Sequence, residues 1–224
     1  MRCLDVDTRA TWEVPYREML AVVGATSALD AVLADENLVN RPQARMDRFA
    51  RIAIRAGTDS EVRLREMVTE FFRAQFTHLN LYHACRIADR STYDKEGVRL
   101  SDINELDRFA RSFFGNSPQL KEAIRDLRAQ NYDRNNHGKI GLWFARSGAV
   151  YLGHNYASHG SEYLDGLAGR LGPLAIERLA ARGRAAVIRC CLPVVDLAKS
   201  DIRFASILPL QEMLRTRDPE APAW

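Results

Sequence analysis

The stretch Phe76-Thr77-His78-Leu79-Asn80-Leu81-Tyr82-His83-Ala84-Cys85-Arg86 decides the fold. From Phe76 to His83 apolar and polar side chains alternate with a period of two, the pattern of a strand with one face covered. Upstream, apolar residues recur at three-to-four spacing in Met19, Leu20, Val23, in Met46, Phe49, Ala53 and in Leu64, Met67, Val68, Phe71. That spacing predicts helices, and Thr58 and Glu61 have the separation of a capping box opening the third. The chain thus changes from helical to mixed structure at Phe76. We expect an α+β protein with a helical segment over 1–75 and a second domain over 76–224.

Beyond the strand, Ser117-Pro118 predicts a helix start, with a capping hydroxyl and proline in the first turn, and the helix runs to about Gln130. Residues 131–138 read as a polar loop. Ile140–Ala145 and Ala149–Leu152, divided by Ser147-Gly148, read as two strands joined by a tight turn. Ser161–Leu171 and Pro173–Ala181 follow as helices, the second bracketed by proline and Gly183. Ala185–Leu192 reads as a buried strand ended by Pro193, and a last helix is expected near Ile207–Arg215.

Composition bounds the function classes. The 224 residues are 46% hydrophobic and 27% charged, which is ordinary for a globular chain. A net charge of +3 is too small to drive binding to nucleic acid through phosphate neutralisation alone. No apolar run reaches the roughly 18–20 residues of a membrane helix. The start, Met1-Arg2-Cys3-Leu4-Asp5, carries an acid where a signal peptide would be apolar, so a cytoplasmic location is expected. The four cysteines form no Cys-x-x-Cys pair, which speaks against a disulfide framework or structural zinc. Dinucleotide-binding and phosphate-loop glycine motifs are absent, as are the nucleophile-elbow and His-Glu-x-x-His motifs.

Tyr82-His83-Ala84-Cys85-Arg86, with Gly97 eleven residues after Arg86, resembles the first signature of ADP-ribosyltransferases of the poly(ADP-ribose) polymerase type. In that family a strand ends in an aromatic residue, a histidine, two small residues and an arginine, and a short helix leads to a glycine turn. Gly138-Lys139-Ile140-Gly141-Leu142-Trp143-Phe144-Ala145 is similar to the family's second signature, with one extra residue and with Trp143 where tyrosine is usual. The two signatures touch about thirty residues. The resemblance implies a split β-sheet core, NAD as substrate, and transfer of ADP-ribose to a macromolecular acceptor, protein, DNA or RNA, with release of nicotinamide. It also implies the settings in which such chains occur: a toxin, defence protein or effector, delivered into a target cell or met by a cognate inhibitor or antitoxin.

Such a site needs a donor for ribose hydroxyls, an aromatic face for nicotinamide and a carboxylate to stabilise a developing oxocarbenium ion. The resemblance assigns ribose to His83 and the nicotinamide amide to the backbone of Ala84, with Arg86 supporting a phosphate or the local fold. Tyr151 and Tyr156 are the alternatives for stacking on nicotinamide, with Trp143 as a further wall. Glu162 is the candidate carboxylate, although it opens a helix, where the macrodipole alone stabilises an acid by roughly 0.3–1 kcal/mol. Glu177 and Asp196 are the runners-up.

Two other classes compete. His137, His154 and His159 lie near Glu162 and Asp165, and imidazole with carboxylate is the ligand set of a metal-dependent hydrolase. A non-catalytic module of the same fold would bind a nucleotide without turnover, consistent with tryptophan at position 143. Arg108, Arg111, Arg125, Arg128 and Arg134 read either as a guide for anions or as the solvated faces of helices.

Overall fold

A computed structural model describes residues 2–22, 61–130 and 137–214, with isolated positions between 26 and 51. Met46, Phe49 and Ala53 of the expected helix, the Thr58 cap, Arg134 and the residues after 214 lie outside the described residues. The architecture is α+β. A three-stranded sheet has the order β1 (Cys3–Leu4), β2 (His78–Ile87) and β3 (Arg184–Pro193). Strand β1 pairs with β2 in parallel, Cys3 opposite His78 and Leu4 opposite Leu79. Among the described residues no helix is long and apolar enough to cross a membrane.

The chain divides into two compact units, Met1–Leu81 with Cys191–Ala223, and Tyr82–Cys190. The first brings together β1, α1 (Glu13–Val22), α2 (Glu61–Gln75) and the C-terminal helix α10 (Lys199–Leu214). Its core is Leu4, Tyr16, Leu20, Phe72, Phe76 and Leu79, all but sealed from water. Tyr16 donates to the Ser206 carbonyl at 2.7 Å, which satisfies the one polar atom of an otherwise apolar side chain. Helix α10 begins earlier than the expected Ile207. Ile202, Ala205, Leu210 and Met213 are buried at helical spacing, so packing carries the helix through Pro209 despite the backbone hydrogen bond that proline removes.

The second unit contains α3 (Arg90–Glu96), α4 (Ile103–Phe114), α5 (Pro118–Ala129), α6 (Arg146–Tyr151), α7 (His154–His159), α8 (Glu162–Leu171) and α9 (Pro173–Ala181). Two helix starts follow the capping rule closely. Ser117 accepts from the Leu120 amide and Ser161 from the Leu164 amide, each at 3.1 Å. Ile103, Leu120, Ile124, Leu127, Tyr163, Leu164, Leu167 and Leu179 form the helical core. Within it Asp107, nearly buried, accepts from the Tyr163 hydroxyl and from Arg128 at 2.6 Å, so the buried charge is paired.

Three expectations are corrected. Ile140–Ala145 is not a strand; only Trp143 pairs, in an isolated antiparallel bridge with Tyr82. The Gly141 carbonyl bonds to the His83 ring at 2.8 Å and the Lys139 carbonyl to the Ser101 amide at 2.9 Å, so the groups that would extend a ladder are used elsewhere. Ala149–Leu152 is not a strand either, and α6 occupies 146–151. Val150, Tyr151 and Leu152 are exposed, and local helical bonds supply the pairing that a strand without a neighbour would lack. Strand β3 forms where expected but no residue over 184–193 is fully buried, because it is an edge of the sheet.

Candidate functional site

Successive side chains of β2 alternate between faces. Tyr82 and Ala84 join Ala149 in a small buried cluster against which Trp143, Tyr156, Ala157 and Val187 pack. His83 has its neighbours on either side in the core but itself lines a cleft of about 410 Å³. Strand β2, α3, the 97–102 turn, the start of α4, residues 139–141 and the α7–α8 junction form its walls. All of the residues that line it lie in the second unit.

The cleft brings His83 and Arg86 of β2 together with Tyr156 and Glu162, about seventy residues further along the chain. His83 Nδ1 lies 2.8 Å from the Gly141 carbonyl oxygen. Burial pushes the imidazole below the ordinary histidine range, partly opposed by that bond. A neutral ring facing a carbonyl carries its proton on Nδ1, which leaves Nε2 as an acceptor. Tyr156 meets Trp143 edge-on, ring centroids 5.6 Å apart, and its hydroxyl feels the nearby Glu162 carboxylate. Burial first, and then Glu162, push this phenol up to about 12, so it stays a donor at neutral pH. Glu162 itself is exposed at the first turn of α8.

Tyr156 sits in α7 rather than in the loop expected before Ser161. Tyr151 does not join it: its side chain is 79% exposed on α6 and does not line the cleft. Trp143 stands behind Tyr156 rather than in the lining, and Ala84 is wholly buried beneath it. Gly153 makes that packing possible. A Cβ there would fall 2.7 Å from Ala84 Cβ and 3.1 Å from the Trp143 ring.

Arg86 follows the local-fold branch of its two expected roles. Its Nε donates to the Arg182 carbonyl at 2.7 Å, Nη2 to Gly183 at 3.0 Å and Nη1 to Ala157 at 3.1 Å. It therefore clasps the end of α7 and the turn before β3 to β2. Gly183 completes this junction, with φ of +70° and no room for a Cβ, which would lie 2.2 Å from the Ile87 oxygen.

Tyr93 is a wall residue that no sequence motif marks. It lines the cleft from α3, and its hydroxyl engages Cys85; burial, then Cys85, push it up to about 12. Burial likewise raises the Cys85 thiol. The signal for Tyr93 is position: its carbonyl accepts the Gly97 amide at 2.9 Å, one turn before the glycine of the first signature. Lys139, Arg99 and Arg182 are cationic members of the wall. Arg99 pairs with Glu96 and Glu105, and Arg182 lies 4.2 Å from the Phe109 ring centroid.

The three histidines of the metal alternative do not converge: among the described residues no group of three His, Cys, Asp or Glu could hold a metal ion. His137 Nδ1 accepts the Ile103 amide at 3.4 Å, and His154 Nδ1 lies 3.2 Å from the Tyr151 carbonyl. His159 Nδ1 is 2.8 Å from Asp165 Oδ1, close enough for an ion pair when protonated, though off the line of a hydrogen bond. Comparison with family models, curated proteins and solved structures found no match.

Proposed function

We propose that the chain is an NAD-dependent ADP-ribosyltransferase, with His83, Tyr156 and Glu162 as the residues that act on NAD and with the resembled family's core fold. The observation that carries this reading is their convergence on one cleft, where the Glu162 carboxylate acts on the Tyr156 hydroxyl. His83 Nε2 accepts a ribose hydroxyl, and the Tyr156 ring offers a face to nicotinamide. As the nicotinamide–ribose bond lengthens, positive charge develops on the ribose, and the Glu162 carboxylate stabilises it. Nicotinamide leaves with the bonding electrons, and a nucleophile of a macromolecular acceptor attacks the ribose carbon. Because Arg86 is committed to backbone carbonyls, Lys139 is assigned the pyrophosphate.

The second reading, a nucleotide-binding module without turnover, is favoured by one observation: Glu162 occupies the first turn of α8, where an acid has a structural reason to stand. One experiment separates the two. The chain is incubated with NAD labelled on nicotinamide or on adenine, in the presence of protein, DNA and RNA. Transfer predicts nicotinamide release and label on one acceptor, both lost in Glu162→Gln while NAD binding is kept. Binding with no release supports the module; release lost to chelators supports metal-dependent hydrolysis.

A further inference from the structure

The charged side chains that line the cleft divide by what they already hold. Arg86 is spent on three backbone carbonyls, and Arg99 on Glu96 and Glu105. Asp89 caps α3 through the Ser91 amide, and Asp102 caps α4 through the Asn104 amide. Glu162 acts on Tyr156. Lys139 and Arg182 remain, and among the described residues neither side chain has a carboxylate within ion-pair distance. Arg182 is held in place without spending its donors. It follows the last residue of α9, and its carbonyl accepts from Arg86 Nε at 2.7 Å. Its guanidinium carbon lies 4.2 Å from the centroid of the Phe109 ring, which stacks in turn on Phe113 with centroids 5.4 Å apart. A guanidinium stacked on a ring uses its flat face, while its N–H groups point outward in the plane of the fork and stay available to an anion. The Arg182 charge also reaches the Tyr93 hydroxyl: burial and then Cys85 raise that phenol, and Arg182 draws it back down. The cation therefore stands at the Tyr93 side of the cleft.

We propose that Arg182 is a diphosphate-binding residue of the cleft, its guanidinium fork taking one phosphate of NAD and Lys139 the other. The inference rests on the NAD reading for the identity of its ligand. Two unspent cations call for two negative charges, and the pyrophosphate of NAD carries one on each phosphate. A single carboxylate would leave one cation unmatched. Arginine suits the task because its fork pairs two N–H donors with two phosphate oxygens. The stack on Phe109 fixes that fork before the ligand arrives, so less rotamer freedom is lost on binding. Lys139 differs: it is a point charge on a flexible stem, and it follows the phosphate rather than orienting it. The cleft volume of about 410 Å³ falls within the range of pockets that hold small ligands.

The test titrates the full chain with ADP and with adenosine by calorimetry, and repeats both titrations on Arg182→Ala and Arg182→Lys. The expected result is an ADP affinity lowered about tenfold or more in Arg182→Ala and partly restored in Arg182→Lys, with adenosine affected by neither change. In the unaltered chain, ADP should shield Arg182 from phenylglyoxal, read by peptide mass mapping, and adenosine should not; this arm does not depend on a variant folding. Undiminished ADP affinity in Arg182→Ala, equal losses for ADP and adenosine, Arg182 labelled as fast with saturating ADP as without it, or no ADP binding at all would overturn the proposal. Nicotinamide release from NAD, measured alongside, keeps the two readings apart. ADP binding that depends on Arg182 with no release leaves the subsite and removes the transferase, whereas release at low NAD that Arg182→Ala leaves intact does the reverse.

Discussion

Gly153→Ala tests the packing that holds Tyr156 in place. The backbone at Gly153 has φ of −88°, which alanine adopts without strain, so the effect arises from contact alone. The added Cβ would lie 2.3 Å from the Ala149 carbonyl oxygen and 2.7 Å from Ala84 Cβ. Both partners are held by the backbone, and Ala84 and Ala149 are fully buried, so no rotamer change relieves the clash. Overpacking of this kind costs about 1–3 kcal/mol, and two rigid partners place this site at about 3. For a chain of this size that lowers the thermal midpoint by about 6–12 °C. Gly169→Ala is the control. It lies inside α8 with nothing within 4 Å of the new Cβ, so lower unfolded-state entropy and better helix propensity stabilise by about 0.5–1 kcal/mol. Differential scanning calorimetry of the two variants beside the parent reads both. Equal shifts, or a neutral Gly153→Ala, would refute the geometry of the α6–α7 junction.

Because burial depresses the His83 pKa below the unfolded value of 6.5, the unfolded chain binds the extra proton first as pH falls. The stability this group contributes is present above about pH 6.5 and lost below it; urea midpoints from pH 7.5 to 5 should fall, and less steeply in His83→Gln. Tyr163→Phe removes a donor from nearly buried Asp107 but leaves Arg128, and should cost about 1–2 kcal/mol by urea titration. Arg86→Lys keeps the charge but cannot reach three carbonyls; a loss of about 2 kcal/mol is expected, and a neutral variant would show that the clasp is idle.

What was legible in the sequence was what local chemistry determines. The alternation through His83 specified β2, and Ser117 and Ser161 specified two helix starts, because side-chain period and capping act within a few residues. The 140–152 region was not legible in this way. Whether Ile140–Ala145 forms a ladder depends on the His83 ring and Ser101 taking the Gly141 and Lys139 carbonyls, and both are remote in sequence. Tyr151 and Tyr156 were equal candidates on sequence because a turn of helix, invisible in composition, decides which faces the cleft. Arg86 could be read two ways until its carbonyl partners were in view. The burial of β3 is not legible either, because an edge strand and a central one share the same apolar composition.

The proposal to be tested is that His83, Tyr156 and Glu162 hold one molecule of NAD. A crystal structure of the Glu162→Gln chain soaked with NAD tests it most directly. The expected result is the dinucleotide in the cleft, with a ribose hydroxyl at His83 Nε2 and the nicotinamide against the Tyr156 ring. NAD bound elsewhere on the chain, or an empty cleft at saturating NAD, would contradict it.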